Sequence, residues 1–143
     1  MIKAIISFFK RLSYCFKRFY KPKTILEKYL KAYLKRDFKA MAKLTQITWA
    51  SKSANPAEET EKMLGSMILI SFKIGNFLYN KKEMAFDIPY IAEFKSDLLD
   101  AEIKSYSCSA MVIKETVPYQ PSIKGRWGVN PISMLRRKLI ESN

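Results

Sequence analysis

At Gly65 the apolar residues of this 143-residue chain change their spacing: before it they recur every three to four positions, after it nearly every second one. A period near 3.6 builds amphipathic helices, whereas a period of two builds half-buried strands. The chain is therefore read as α+β, with helices first and an antiparallel sheet after them. Strands are expected at about 67–79, 84–95, 101–116 and 123–130, separated by short turns and by a loop holding Pro118 and Pro121. Four strands in that order make a meander. Gly75 is the candidate bulge that would let a long first strand bend.

Ahead of Gly65 the signals are those of helix ends. Pro22 is expected to close a first helix, and Thr24 with Glu27 to form a capping box that opens a second. Ile25, Leu26, Tyr29, Leu30, Tyr33 and Leu34 then fall on one face, with Lys28, Lys31, Lys35 and Arg36 on the other. Asp37 is placed to cap a short helix over 38–44. Asn55 as cap, Pro56 as first helical residue and Glu58, Glu59 and Glu61 near the positive end start another. After the last strand, 132–140 reads as a short basic helix carrying Arg136, Arg137 and Lys138.

The leading segment, residues 1–23, differs from the rest: it holds seven basic residues and no acid. On a helix, Lys3, Lys10, Lys17, Lys21, Arg11 and Arg18 share an arc of roughly 120°. Ile2, Ile5, Phe9, Leu12, Phe16 and Phe19 line the middle of the opposite arc, with Ala4, Ile6, Phe8, Cys15 and Tyr20 beside them. Such a cationic amphipathic helix needs an apolar medium. A bilayer interface would take Phe8, Phe9, Phe16 and Phe19 below the headgroups while Lys3, Lys10, Arg11, Lys17, Arg18 and Lys21 face anionic lipid. The other reading packs the same face on its own domain or on a second copy.

Charge is polarised in the same direction. Residues 1–52 hold 14 Lys and Arg against Glu27 and Asp37, while the remainder holds 12 against 11 acids. That balance favours anionic partners, either phospholipid or nucleic acid. Nucleic acid is the second reading, because basic and aromatic residues alternate in Phe16-Lys17-Arg18-Phe19-Tyr20-Lys21. Segregation opposes it: base stacking beside phosphate contacts needs aromatics and cations on one face, and only Tyr14 sits among the charges.

Other classes are narrowed by what the composition omits. With no histidine in the sequence, a Ser/His/Asp or Cys/His triad and a histidine-ligated metal site are excluded. Cys15 and Cys108 are in no metal-type spacing and suggest no disulfide framework. Leu12-Ser13-Tyr14-Cys15 superficially matches a lipoprotein cleavage box, but Lys10 and Arg11 interrupt the apolar run and Tyr14 is too bulky for its position. No stretch reaches the ~20 apolar residues of a spanning helix. No cofactor or metal is implied, and the expected location is peripheral, on the cytoplasmic side of a membrane.

The segment Tyr29-Leu30-Lys31-Ala32-Tyr33-Leu34-Lys35-Arg36-Asp37-Phe38-Lys39-Ala40 resembles the opening of the nuclear transport factor 2-like superfamily. There a first helix ends in a basic-or-glycine, aspartate turn before a second short helix. Lys124-Gly125-Arg126-Trp127-Gly128-Val129-Asn130 resembles that superfamily's closing strand. The likeness covers about residues 24–138 and implies a cystatin-like cone, a sheet curled around a pocket whose mouth the helices cover. Members include isomerases and dehydratases as well as non-catalytic binding modules, so a pocket for a small apolar ligand or a partner's peptide is implied, and an activity is not. Asp87, Tyr90, Tyr106 and Glu115 are the residues that would supply a base and a hydroxyl for an enzyme. The expectation is instead a scaffold domain, 24–143, carried by a membrane-binding helix, 1–23, with Trp49 and Trp127 in its core.

Overall fold

The computed structural model of the protein describes Ile5 and residues 21–141. Helix α1, Pro22–Leu34, begins two residues before the expected capping box. Pro22 stands at its first position, where the fixed φ suits a helix and the missing N–H costs nothing. Thr24 therefore lies inside the first turn, and Lys21 is an extended N-cap without a side-chain bond. The apolar face of α1 is buried as its spacing requires, through Ile25, Leu26, Tyr29, Leu30 and Tyr33.

Helix α1 ends in a paired-bond turn. Arg36 N–H donates to the Tyr33 carbonyl and Asp37 N–H to the Ala32 carbonyl, each at 2.9 Å, with Arg36 at φ 54°. That left-handed position usually belongs to glycine. Arg36 supplies something glycine cannot: its guanidinium donates to the Gly65 carbonyl at 2.6 Å, tying the end of α1 to the helix–sheet junction. Asp37 caps α2, Phe38–Lys43, by accepting from Ala40 N–H at 3.0 Å. A four-residue helix that the sequence did not suggest, α3 at Ile47–Ala50, precedes α4, Pro56–Leu64, which Asn55 caps as expected.

The sheet is a curled antiparallel half-barrel on which these helices pack. Strand β1, Met67–Ile74, pairs with β2, Ala85–Ser96, and β2 pairs with β3, Lys104–Val117, from Ala85↔Ile113 to Phe94↔Lys104. On its other edge β3 takes three short strands in turn: β4, Gln120–Pro121, β5, Arg126–Val129, and β6, Arg137–Leu139. Alternation in β2 sends Phe86, Ile88, Tyr90, Ala92 and Phe94 inward, where α1 packs across β1, β3 and β5. The core cluster among the described residues runs from Ile25 to Met134.

Three expectations about the sheet are corrected. The first ladder stops at Ile74 instead of continuing to residue 79, and residues 75–84 form the connection to β2. Its register shift falls between Leu69 and Ser71, not at Gly75, whose N–H donates to the Pro89 carbonyl at 2.8 Å. The tail is not a helix: a 3-10 turn at Pro131–Leu135, capped by Asn130, leads into β6. Open backbone groups on β3 at Tyr106, Ser107 and Cys108 outcompete the local helical preference of a stretch too short to hold a helix alone.

Candidate functional site

Period-two packing fills the centre of the half-barrel with aromatic and sulfur-bearing side chains. Tyr29, Tyr33, Tyr90 and Phe94 are fully buried there, with Met134 and Cys108 beside them. The Tyr33 hydroxyl, 2.7 Å from the Leu64 carbonyl and 3.0 Å from that of Met67, pins α1 to the helix–sheet junction. Burial pushes its pKa up to about 12, with Arg137 and Arg36 pulling the other way. Burial also raises Tyr29, Tyr90 and Cys108 above their ordinary values. Every one of these groups keeps its proton at neutral pH.

Arg137 enters this interior from β6. Its guanidinium lies 5.0 Å from the centroid of the Phe94 ring and 5.9 Å from that of Tyr106, and Nη1 is buried with no hydrogen-bond partner among the described residues. Stacking on two aromatic faces offsets part of the desolvation of the charge. Sequence reading placed Arg137 on a helix face. Only the pairing of the tail with β3 turns it inward.

The four residues weighed for an enzyme are not brought into one site. Asp87 is exposed on the outer face of β2, opposite Phe86 and Ile88. Tyr90 is buried, with its hydroxyl 3.8 Å from Met134 Sδ. Tyr106 is half-buried and packs its ring edge against Phe94. Glu115 is 1% exposed, and both carboxyl oxygens are occupied: Oε1 accepts from Thr48 N–H at 3.2 Å and Oε2 from the Thr48 hydroxyl at 2.5 Å. A general base must reach the proton it removes and have a pKa near working pH. Raised phenols with no free carboxyl beside them do not meet that requirement.

Two open clefts flank the filled interior. One, of about 360 Å³, lies between α3 and α4 against Trp49, Lys52, Glu59, Met63 and Pro131. The other, of about 500 Å³, lies at the β2–β3 connection against Met67, Leu98, Leu99 and Tyr106. Neither contains Asp87 or Glu115. Trp127 is in the core as expected, but Trp49 is only half-buried and carries Lys52 over its ring at 4.5 Å.

At the other end of the sheet stands the root of the leading segment. Lys21 Nζ is 5.6 Å from the Tyr79 ring centroid, and Tyr79, Phe77 and Trp127 each meet Phe86 at 5.5 to 5.6 Å. Of the residues assigned to lipid by sequence, Lys3, Phe8, Phe9, Lys10, Arg11, Phe16, Lys17, Arg18 and Phe19 lie outside the described residues. Lys21 is described and exposed. What sequence reading missed here is Leu78, which is 94% exposed on the connection beside that root.

No protein-family model, curated protein or solved structure matches the chain. Among the described residues, no cluster of three His, Cys, Asp or Glu side chains could hold a metal ion, and no helix is long and apolar enough to cross a membrane.

Proposed function

We propose that this is a non-catalytic α+β binding domain of the nuclear transport factor 2-like kind, held on an anionic membrane surface by residues 1–21 and serving as a subunit of a membrane-associated assembly. The observation that carries the reading is the segregation of six cations from a Phe- and Ile-rich arc at the start of the chain. The filled interior, the outward Asp87 and the fully engaged Glu115 favour binding over catalysis.

The energetics suit reversible attachment. Lys10, Arg11, Lys17, Arg18 and Lys21 each contribute about 1 kcal/mol near a negatively charged leaflet, and burying even part of one Phe ring adds about 1 kcal/mol. Sedimentation with phosphatidylserine-containing vesicles tests the reading. Binding is expected to need anionic lipid, to weaken with salt, and to vanish in a chain starting at Pro22. Unchanged binding after that truncation refutes the anchor. Binding of mixed RNA or DNA at micromolar concentration and physiological salt, read by fluorescence anisotropy, would replace the membrane reading with the nucleic-acid one.

A further inference from the structure

We infer that the domain meets an anionic lipid surface with one particular end, and that the turn at residues 78–82 is a second lipid contact beside the leading segment. The inference rests on the anchoring proposed above and adds to it an orientation and an inserting residue.

Topology puts the turn where the anchor is rooted. The connection 75–84 leaves the end of β1, and Tyr79 on it lies under Lys21, the residue through which the leading segment enters α1. The leading segment therefore joins the domain beside this connection. Leu78 lies just ahead of the Asn80–Glu83 turn, 94% exposed. An isolated exposed leucine needs no explanation; one set next to Tyr79, Lys81 and Lys82 has the composition of an interfacial contact, an apolar residue to insert and cations to meet headgroups.

Charge separates the two ends of the sheet. Lys21 and Lys23, the connection 75–84 and the hairpin 117–125 together carry five lysines against the single acid Glu83. At the opposite end the β2–β3 connection carries Asp97, Asp100 and Glu102, with Lys95 and Lys104 flanking it and Arg36 at the start of β1, so that end has no excess of cations. The 12 residues of β2 run between those ends, about 40 Å at strand rise. Surface potential decays over ~8 Å at physiological ionic strength. A negative leaflet thus attracts the Leu78 end, where cations exceed acids, and leaves the β2–β3 connection, where three carboxylates offset the neighbouring cations, beyond its field. The exposed Leu98 and Leu99 on that acidic connection face away from the bilayer.

The test is vesicle flotation of the full-length chain at ~0.15 M salt, with phosphatidylserine/phosphatidylcholine and with phosphatidylcholine alone. Leu78→Asp is expected to weaken partitioning about tenfold, from loss of a partly buried leucine and gain of a repelled charge. The pair Lys81→Glu and Lys82→Glu should weaken it at least tenfold. Leu99→Asp, at a residue 93% exposed on the far end, should change it less than twofold. All of these sites are solvent-exposed, and unchanged thermal melts confirm that binding, not folding, is being read. If Phe16→Ser with Phe19→Ser abolishes flotation while Leu78→Asp floats like the parent, the anchor stands and the second contact is refuted. Equal losses from Leu78→Asp and Leu99→Asp refute the orientation. A parent chain that does not float with anionic lipid overturns both.

Discussion

Replacing Glu115 by Ala tests whether the closing end of the sheet is held by one buried polar junction. Glu115 accepts both from Thr48 N–H and from the Thr48 hydroxyl, whose oxygen in turn accepts from Tyr119 N–H at 2.8 Å. Three separate pieces of chain, α3, the end of β3 and the turn after it, meet in that chain of bonds. Alanine leaves Thr48 N–H buried without an acceptor and frees its hydroxyl. An orphaned buried donor costs about 1–3 kcal/mol and a lost hydrogen bond about 1 kcal/mol, so a destabilisation of about 3 kcal/mol is expected. For a domain of this size each kcal/mol moves the melting temperature by about 3–4 °C, which places the variant about 10 °C below the parent. Thr48→Val should cost about 2 kcal/mol alone, because it unpairs Tyr119 N–H as well as a carboxyl oxygen.

The double variant decides whether the accounting is right. If the two residues act as one junction, Thr48→Val in the Glu115→Ala background adds less than the sum, by at least about 1 kcal/mol. Urea unfolding followed by circular dichroism measures each corner of the cycle. Additive losses, or a Glu115→Ala melt within 2 °C of the parent, refute the junction and return Glu115 to the list of residues free for chemistry.

Alkaline stability offers a second check. The Tyr33 phenol stays protonated in the fold up to about pH 12, whereas in the unfolded chain it ionises near its ordinary value of 10. Its contribution is therefore complete below pH 10 and is lost as pH rises toward 12, by about 1.4 kcal/mol per pH unit. Tyr90, also raised by burial, adds to the same loss. Tyr90→Phe gives up the long contact to Met134 and the hydroxyl's interaction with the Cys108 thiol, both weak, so it should be near neutral at pH 7 and shift the alkaline midpoint upward; a midpoint that stays put or falls refutes the assignment. Gly128→Ala should destabilise by about 3 kcal/mol, because its Cβ would stand 2.6 Å from both Cα and N of Gln46, where β5 is bonded to the α2–α3 connection. A melt within a few degrees of the parent would show that the close approach relaxes freely.

How much of this was legible in the sequence divides along a physical line. Local signals survived: the Asp37 and Asn55 caps, the buried face of α1 and the alternation of β2 are each set by residues within a turn or two of one another. The helix that Pro22 was expected to close lies outside the described residues, whereas the one expected to open at Thr24 opens at Pro22 itself. A proline lacking its N–H fits the first turn as well as it ends the preceding helix, and the Thr24–Glu27 pattern then misplaced the start.

The misses share another cause. Strict alternation from Cys108, Ala110 and Val112 points Glu115 away from the core, and β3 does keep its register with β5 from Val112 to Glu115; the side chain is buried because Thr48 and the turn holding Tyr119 close over it. That cover turns an ordinary surface acid into the buried acceptor of a three-way junction. Arg137 follows the same logic: on a helix it would sit among Arg136 and Lys138, but as the first residue of β6, opposite Cys108 of β3, it lies over Phe94 and Tyr106. In both cases the side chain's surroundings are set by chain remote in sequence, Thr48 for Glu115 and β3 for Arg137, and no window of neighbouring residues encodes them.

That distinction also explains why the membrane signal is stated by the sequence and its direction only by the fold. Segregation of Lys and Arg from Phe and Ile is a property of consecutive turns, complete within residues 1–21. Leu78 carries no such pattern, because its neighbours Phe77 and Tyr79 are turned onto Phe86 by the packing of the β1–β2 connection. Only the cross-chain meeting of Tyr79 with Lys21 puts it beside the anchor's root. A surface read from periodicity alone thus lacks an orientation, and the orientation comes from the one end of the sheet where the chain's basic start and an exposed apolar turn converge.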